Sequence, residues 1–120
     1  LGIEALAARP EVARVLHPAL PNAPGHDLWQ RDFSGAASLF AVVFKPVAED
    51  RFRAAVDALQ LFKLGFSWGG FESLVVPIAP AKYRDCTPWP YTGPAVRLHI
   101  GLEAVDDLLA DLDQALAQLR

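Results

Sequence analysis

Residues 95–103 read "AVRLHIGLE", and residues 73–78 read "SLVVPI". The first stretch alternates, with Val96, Leu98 and Ile100 on one side and Arg97 and His99 on the other, as a half-buried strand requires. The second is a short apolar run of strand length. Only Ala79 and residues 80–94, "PAKYRDCTPWPYTGP", separate them. That connection carries four prolines and no helical spacing, so it reads as a long loop. Two successive strands with no helix between them favour antiparallel pairing. After the second strand, Val105, Leu108, Leu109, Leu112, Leu116 and Leu119 recur at helical spacing. Asp106 and Asp107 sit where the helix dipole favours negative charge.

Upstream, "GAASLFAVVF" is an apolar run that ends before Pro46. It is the best central strand, from about Ser38 to Phe44. "VAEDRFRAAVDALQLF" places Phe52, Ala55, Val56, Leu59 and Phe62 at helical spacing behind Glu49 and Asp50. Residues 63–72, "KLGFSWGGFE", have no period and read as irregular. "HDLWQRDF" can form two helical turns, "PALPNAPG" is loop, and Val12, Val15 and Leu16 suit a short edge strand. Leu1, Ala5 and Ala8 give the opening residues a helical spacing that stops before Pro10. This order predicts a two-layer α/β (α+β) sandwich. Its sheet has about four largely antiparallel strands, covered by helices mainly on one face. Residues 1–20 read as a helix end and a first strand, and residues 21–120 as the α/β domain proper.

The 120 residues are 52% hydrophobic and 21% charged, which suits a globular domain and not a disordered chain. A net charge of −3 with no basic stripe argues against nucleic acid as a partner. No run reaches membrane-spanning length. The one cysteine, Cys86, excludes an intrachain disulfide and fits a reducing compartment, so the expected location is cytoplasmic. There is no methionine, and Leu1 already lies in a helical pattern. The expectation is a piece of a longer protein.

Two features could carry chemistry. Arg97 lies in the middle of an apolar strand, where a guanidinium needs a partner. Facing a cleft, its planar fork would grip a carboxylate; facing water, it would be an ordinary surface residue. Residues 66–74, "FSWGGFESL", put Ser67 and Trp68 beside a glycine pair that allows unusual backbone angles or close approach. Ser67 could donate to a ligand and Trp68 could wall a pocket. The alternative is a tight turn with Phe66, Trp68 and Phe71 as core aromatics. Glu72 reads as a hydrogen-bonded structural carboxylate, and the acids from Glu103 to Asp113 as helix-capping and solvated charges. His17, His26 and His99 have no metal-ligand spacing with one another or with Cys86, so no metal is expected. Cys86 carries no argument for a nucleophile.

"LFKLGFSWGGFESLVV" followed by "VRLHIGLEAVDDLLADLDQAL" resembles the C-terminal domain of the Cys/Met-metabolism enzymes that use pyridoxal phosphate. "RPEVARVLHPALPNAPGHDLWQRDFSGAASLF" extends the resemblance over nearly the whole chain. Within that family the chain is most similar to the bacterial cystathionine β-lyases. Trp68 after the serine is typical of them, and relatives of the γ-synthase and γ-lyase type read "SVGIE" where this chain reads "HIGLE". The resemblance implies the small domain of a type I pyridoxal-phosphate fold. The cofactor, its Schiff-base lysine and any catalytic residue would then lie upstream, since Lys45, Lys63 and Lys82 match no such motif. It further implies that Arg97 grips the substrate α-carboxylate, and that Ser67 and Trp68 line the substrate side of the cofactor. The implied reaction is β-elimination of cystathionine to homocysteine, pyruvate and ammonia, in methionine biosynthesis, by an enzyme that is a homotetramer when intact. A γ-synthase, γ-lyase or sulfhydrylase of the same family, and a non-catalytic α/β binding module, remain the alternatives.

Overall fold

Alternation along the strands decides which face of the sheet is covered. The computed structural model describes residues 2–120; Leu1, read as part of the opening helical spacing, lies outside them. Helix α1 (Gly2–Ala7) leads into strand β1 (Val12–Leu16), then α2 (His26–Asp32), β2 (Leu39–Phe44), α3 (Glu49–Ala58), β3 (Lys63–Leu64), β4 (Leu74–Ile78), β5 (Ala95–His99) and α4 (Val105–Leu116). Short 3₁₀ turns occupy Pro80–Lys82 and Ala117–Leu119. The sheet has the order β1-β2-β5-β4-β3, antiparallel except for the parallel pair β3–β4.

Phe40, Val42 and Phe44 of β2, Val75 of β4, and Val96 and Leu98 of β5 form one buried face. Leu6 of α1 and Leu108, Leu112 and Leu116 of α4 close over it, and Phe52 and Val56 of α3 pack at its margin. Helix α2 contributes no buried residue. Leu6, Val12, Val15 and Leu20 belong to this same core, so the segment from Leu6 to Leu20 packs with the rest. Burying side chains of this size stabilises by about 1.5–3 kcal/mol each before chain entropy is subtracted. In the strand register, Ala41, Arg97 and Val76 lie side by side on the opposite face.

The architecture agrees with the expected two-layer sandwich, with three differences. The sheet has five strands rather than about four. The extra strand, β3, lies in the stretch read as irregular, and its two residues are too few to show a period. Helix α3 stops at Ala58, although Leu59 and Phe62 continue its spacing. Asp111 explains the stop. Its carboxylate accepts the backbone N–H groups of Gln60 and Leu61, each at 2.8 Å, and of Phe62 at 3.2 Å. These bonds turn the chain so that Phe62 is buried from beyond the helix.

The third difference concerns the acids from Glu103 to Asp113. Asp111 is only 6% exposed and Glu103 is held by Ser73, so neither is a solvated charge. Burial by itself pushes the Asp111 carboxyl up, but the N–H groups of Gln60, Leu61 and Phe62 and the Gln114 amide outweigh it. The net value lies below the usual aspartate range.

A carboxyl lowered on folding contributes stability that is complete above its unfolded value and is lost as pH falls through the folded one. The chain should therefore lose stability as pH drops below about 4. Asp111→Asn should lower stability at neutral pH by about 2 kcal/mol and flatten that acid-side slope, both read by urea denaturation across pH. An unchanged slope would show that Asp111 is not the anchor.

Candidate functional site

Residues 66–73 are stitched to residues 97–103 at five points. Arg97 donates through its Nη2 to the carbonyl of Phe66, and its guanidinium carbon lies 5.0 Å from the Phe66 ring centroid. His99 Nε2 is 3.0 Å from the carbonyl of Gly70 and Nδ1 is 3.4 Å from the N–H of Gly69. The Leu102 N–H donates to the Phe71 carbonyl at 2.9 Å. The Gly101 N–H donates to Ser73 Oγ at 2.8 Å. Glu103 accepts the Ser73 N–H at 2.9 Å and its hydroxyl at 2.7 Å.

Gly101 permits this stitching. A Cβ there would stand 2.2 Å from the Phe71 carbonyl oxygen and 2.7 Å from the carbonyl carbon of Glu72. The Ser73 N–H leads the effects that hold the Glu103 carboxyl below the usual glutamate range. Its hydroxyl adds to this against the opposing push of burial.

Arg97 stands in the middle of β5, half-buried, on the face away from the helices. No carboxylate pairs with it among the described residues; the Phe66 carbonyl takes one of its five N–H donors. Most of its fork is thus left without a protein partner among the described residues.

Ser67 and Trp68 lie between the Phe66 tether and the Gly69–Gly70 tether. Both are exposed, Trp68 by 62%, and neither makes a hydrogen bond or ring contact to Arg97 among the described residues. The fold thus brings their backbone to the strand that carries Arg97 and leaves their side chains facing outward. Phe66 and Phe71 are 79% and 70% exposed, so the core-aromatic reading of this stretch fails. The strand face beneath the loop carries Arg97 and His99, which take the loop backbone.

The glycine pair divides. Gly69 has φ +89°, a conformation that disfavours other residues. Gly70 has ordinary φ and open space around a Cβ. Glu72 is exposed and unbonded among the described residues; the structural carboxylate expected there is Glu103 instead.

Sequence reasoning weighed His99 only as a metal ligand and missed its role as a loop tether. The alternation of β5 held the signal, because it puts His99 on the same face as Arg97.

A match to the family model described as Cys/Met metabolism PLP-dependent enzyme covers residues 3–117. The chain belongs to that family. It is 47% identical over 118 residues to a cystathionine β-lyase of Salmonella typhimurium, covering 95% of this chain and 30% of that protein. It is 52% identical over 114 residues to one of Bordetella avium, covering 94% of this chain and 28% of that protein. Its fold matches a solved cystathionine γ-synthase from Xanthomonas oryzae with a TM-score of 0.80 and 31% identity, over 98% of this chain and 32% of that one. The chain therefore spans about 30% of the length of the curated relatives it matches.

The family depends on pyridoxal phosphate, and the described residues do not form a site for it. Lys45, Lys63 and Lys82 are all exposed. Lys63 Nζ donates to the Gln60 carbonyl at 2.6 Å on the far edge strand β3. Lys45 follows the end of β2 and Lys82 lies in the 3₁₀ turn. No lysine stands beside Arg97.

Gly69→Ala should cost about 1 kcal/mol from backbone strain alone, since nothing lies within reach of the added methyl. Gly70→Ala should stay within about 0.5 kcal/mol of the parent. Denaturant titration of the two variants checks the contrast. Equal effects would contradict the loop geometry.

Proposed function

We propose that this chain is the substrate-side domain of a pyridoxal-phosphate-dependent carbon–sulfur lyase. The reaction is β-elimination of cystathionine to homocysteine, pyruvate and ammonia. The observation that carries the reading is Arg97, a half-buried residue whose guanidinium has no carboxylate partner among the described residues. It sits under the loop that presents Ser67 and Trp68.

In this reading Arg97 binds the substrate α-carboxylate through its free N–H groups and so fixes the orientation of the amino acid. Ser67 offers a hydroxyl donor, and the Trp68 indole shields one side of the substrate from water. The residues that hold the cofactor and move the proton belong to other parts of the protein. The intact enzyme is a cytoplasmic homotetramer in the same proposal. The names of the Salmonella and Bordetella relatives support the β-lyase assignment. The fold likeness to a γ-synthase keeps γ-type chemistry as the second reading.

The intact protein should release pyruvate from cystathionine. Release of 2-oxobutyrate would favour a γ-lyase instead. The 120-residue chain mixed with pyridoxal phosphate should show no turnover, and clear activity would overturn the division of labour. In the intact enzyme, Arg97→Ala should lower kcat/KM by about 30-fold or more, the equivalent of losing a charge-assisted pair worth about 2–5 kcal/mol. The cofactor absorbance should remain. A kinetically silent Arg97→Ala would remove the clamp assignment.

A further inference from the structure

His99 is buried, with 3% of its surface exposed, and both ring nitrogens are engaged. Its Nε2 lies 3.0 Å from the Gly70 carbonyl. That oxygen can only accept, so Nε2 carries the proton. Nδ1 faces the Ser38 hydroxyl at 3.0 Å and accepts the Gly69 N–H at 3.4 Å. The imidazole thus bonds two consecutive loop residues, Gly70 through Nε2 and Gly69 through Nδ1.

Ser38 is itself tied to the end of β5, because its own carbonyl accepts the Ile100 N–H at 3.0 Å. His99 lies two residues beyond Arg97 on the same face of β5, about 6–7 Å along the strand. Loop residues 66–70 are bound by side chains of this strand at two places, Arg97 to Phe66 and His99 to Gly69 and Gly70. The Arg97 tether uses the guanidinium that a carboxylate would claim. If Arg97 turns toward a ligand, the His99 tether is the one that stays.

We propose that His99 is a positioning residue, with Ser38 as its support, that holds the Ser67–Trp68 wall in place while Arg97 engages the substrate carboxylate. The proposal rests on the reading of Arg97 as the clamp and extends it to a residue that touches neither substrate nor cofactor. His99→Leu removes both loop bonds while keeping an apolar group of similar bulk in a buried position. His99→Gln keeps an amide donor for the Gly70 carbonyl.

The test uses the intact enzyme and two independent readouts. Amide hydrogen exchange over residues 66–70 reads the tether itself, and steady-state kinetics with cystathionine read its use. In His99→Leu, exchange in that segment should speed up and KM should rise about tenfold, the loss of one or two hydrogen bonds. The thermal midpoint should fall only modestly, as the loss of buried hydrogen bonds requires, and cofactor absorbance should stay near the parent. His99→Gln should recover part of the KM loss.

Unchanged exchange in His99→Leu would overturn the tether. Faster exchange with an unchanged KM would overturn its role in positioning. Leu and Gln variants with equal KM and equally lowered thermal midpoints would reduce His99 to a structural residue. Parent enzyme that releases no pyruvate would sink the lyase reading, while exchange would still decide the tether.

Discussion

Glu103 holds the amide and the hydroxyl of Ser73 in one carboxylate, and the geometry of the site follows from that grip. Ser73 immediately precedes β4, and Glu103 lies between β5 and α4. Joining them fixes where the loop 66–72 ends relative to the strand that carries Arg97. The Gly101 N–H then reaches the same hydroxyl and the Leu102 N–H reaches Phe71. Each bond depends on the backbones meeting closely, which the missing side chain at Gly101 allows. Charge-assisted bonds of this kind are roughly twice as strong as neutral ones. That strength suits a loop whose side chains are mostly exposed and contribute little packing of their own.

Asp111 performs the same task one segment earlier. By taking three successive amides it ends α3 and aims the chain into β3 and the loop. Helix α4 thus packs its leucines on the sheet and also supplies a carboxylate that shapes the approach to the site. The wall is built from backbone held by buried polar side chains, with the apolar core beneath. This division explains how three large aromatics in a nine-residue stretch can remain exposed.

The legible parts of the fold were those with a sustained period. The alternation of β5, the apolar run of β2 and the leucine spacing of α4 each announce an element and its buried face. Arg97 stood out because a charge in the middle of an apolar strand needs a partner. What stayed hidden depends on partners distant in sequence. Asp111 and Gln60 are about fifty residues apart, so the acid looks like helix surface until the segments meet. Glu103 and His99 are misread for the same reason, and β3 is two residues that exist as a strand only beside β4. Phe66, Trp68 and Phe71 mislead in the other direction, because hydrophobicity alone predicts burial for them.

The proposed role of Arg97 as the group that receives an amino-acid carboxylate is the central claim. The most direct measurement is a crystal structure of the intact protein with a cystathionine analogue bound. The account predicts the α-carboxylate against the Arg97 guanidinium, under the 66–70 loop, with His99 still bonded to Gly69 and Gly70. An analogue whose carboxylate is held elsewhere, with Arg97 still turned to Phe66, would contradict it.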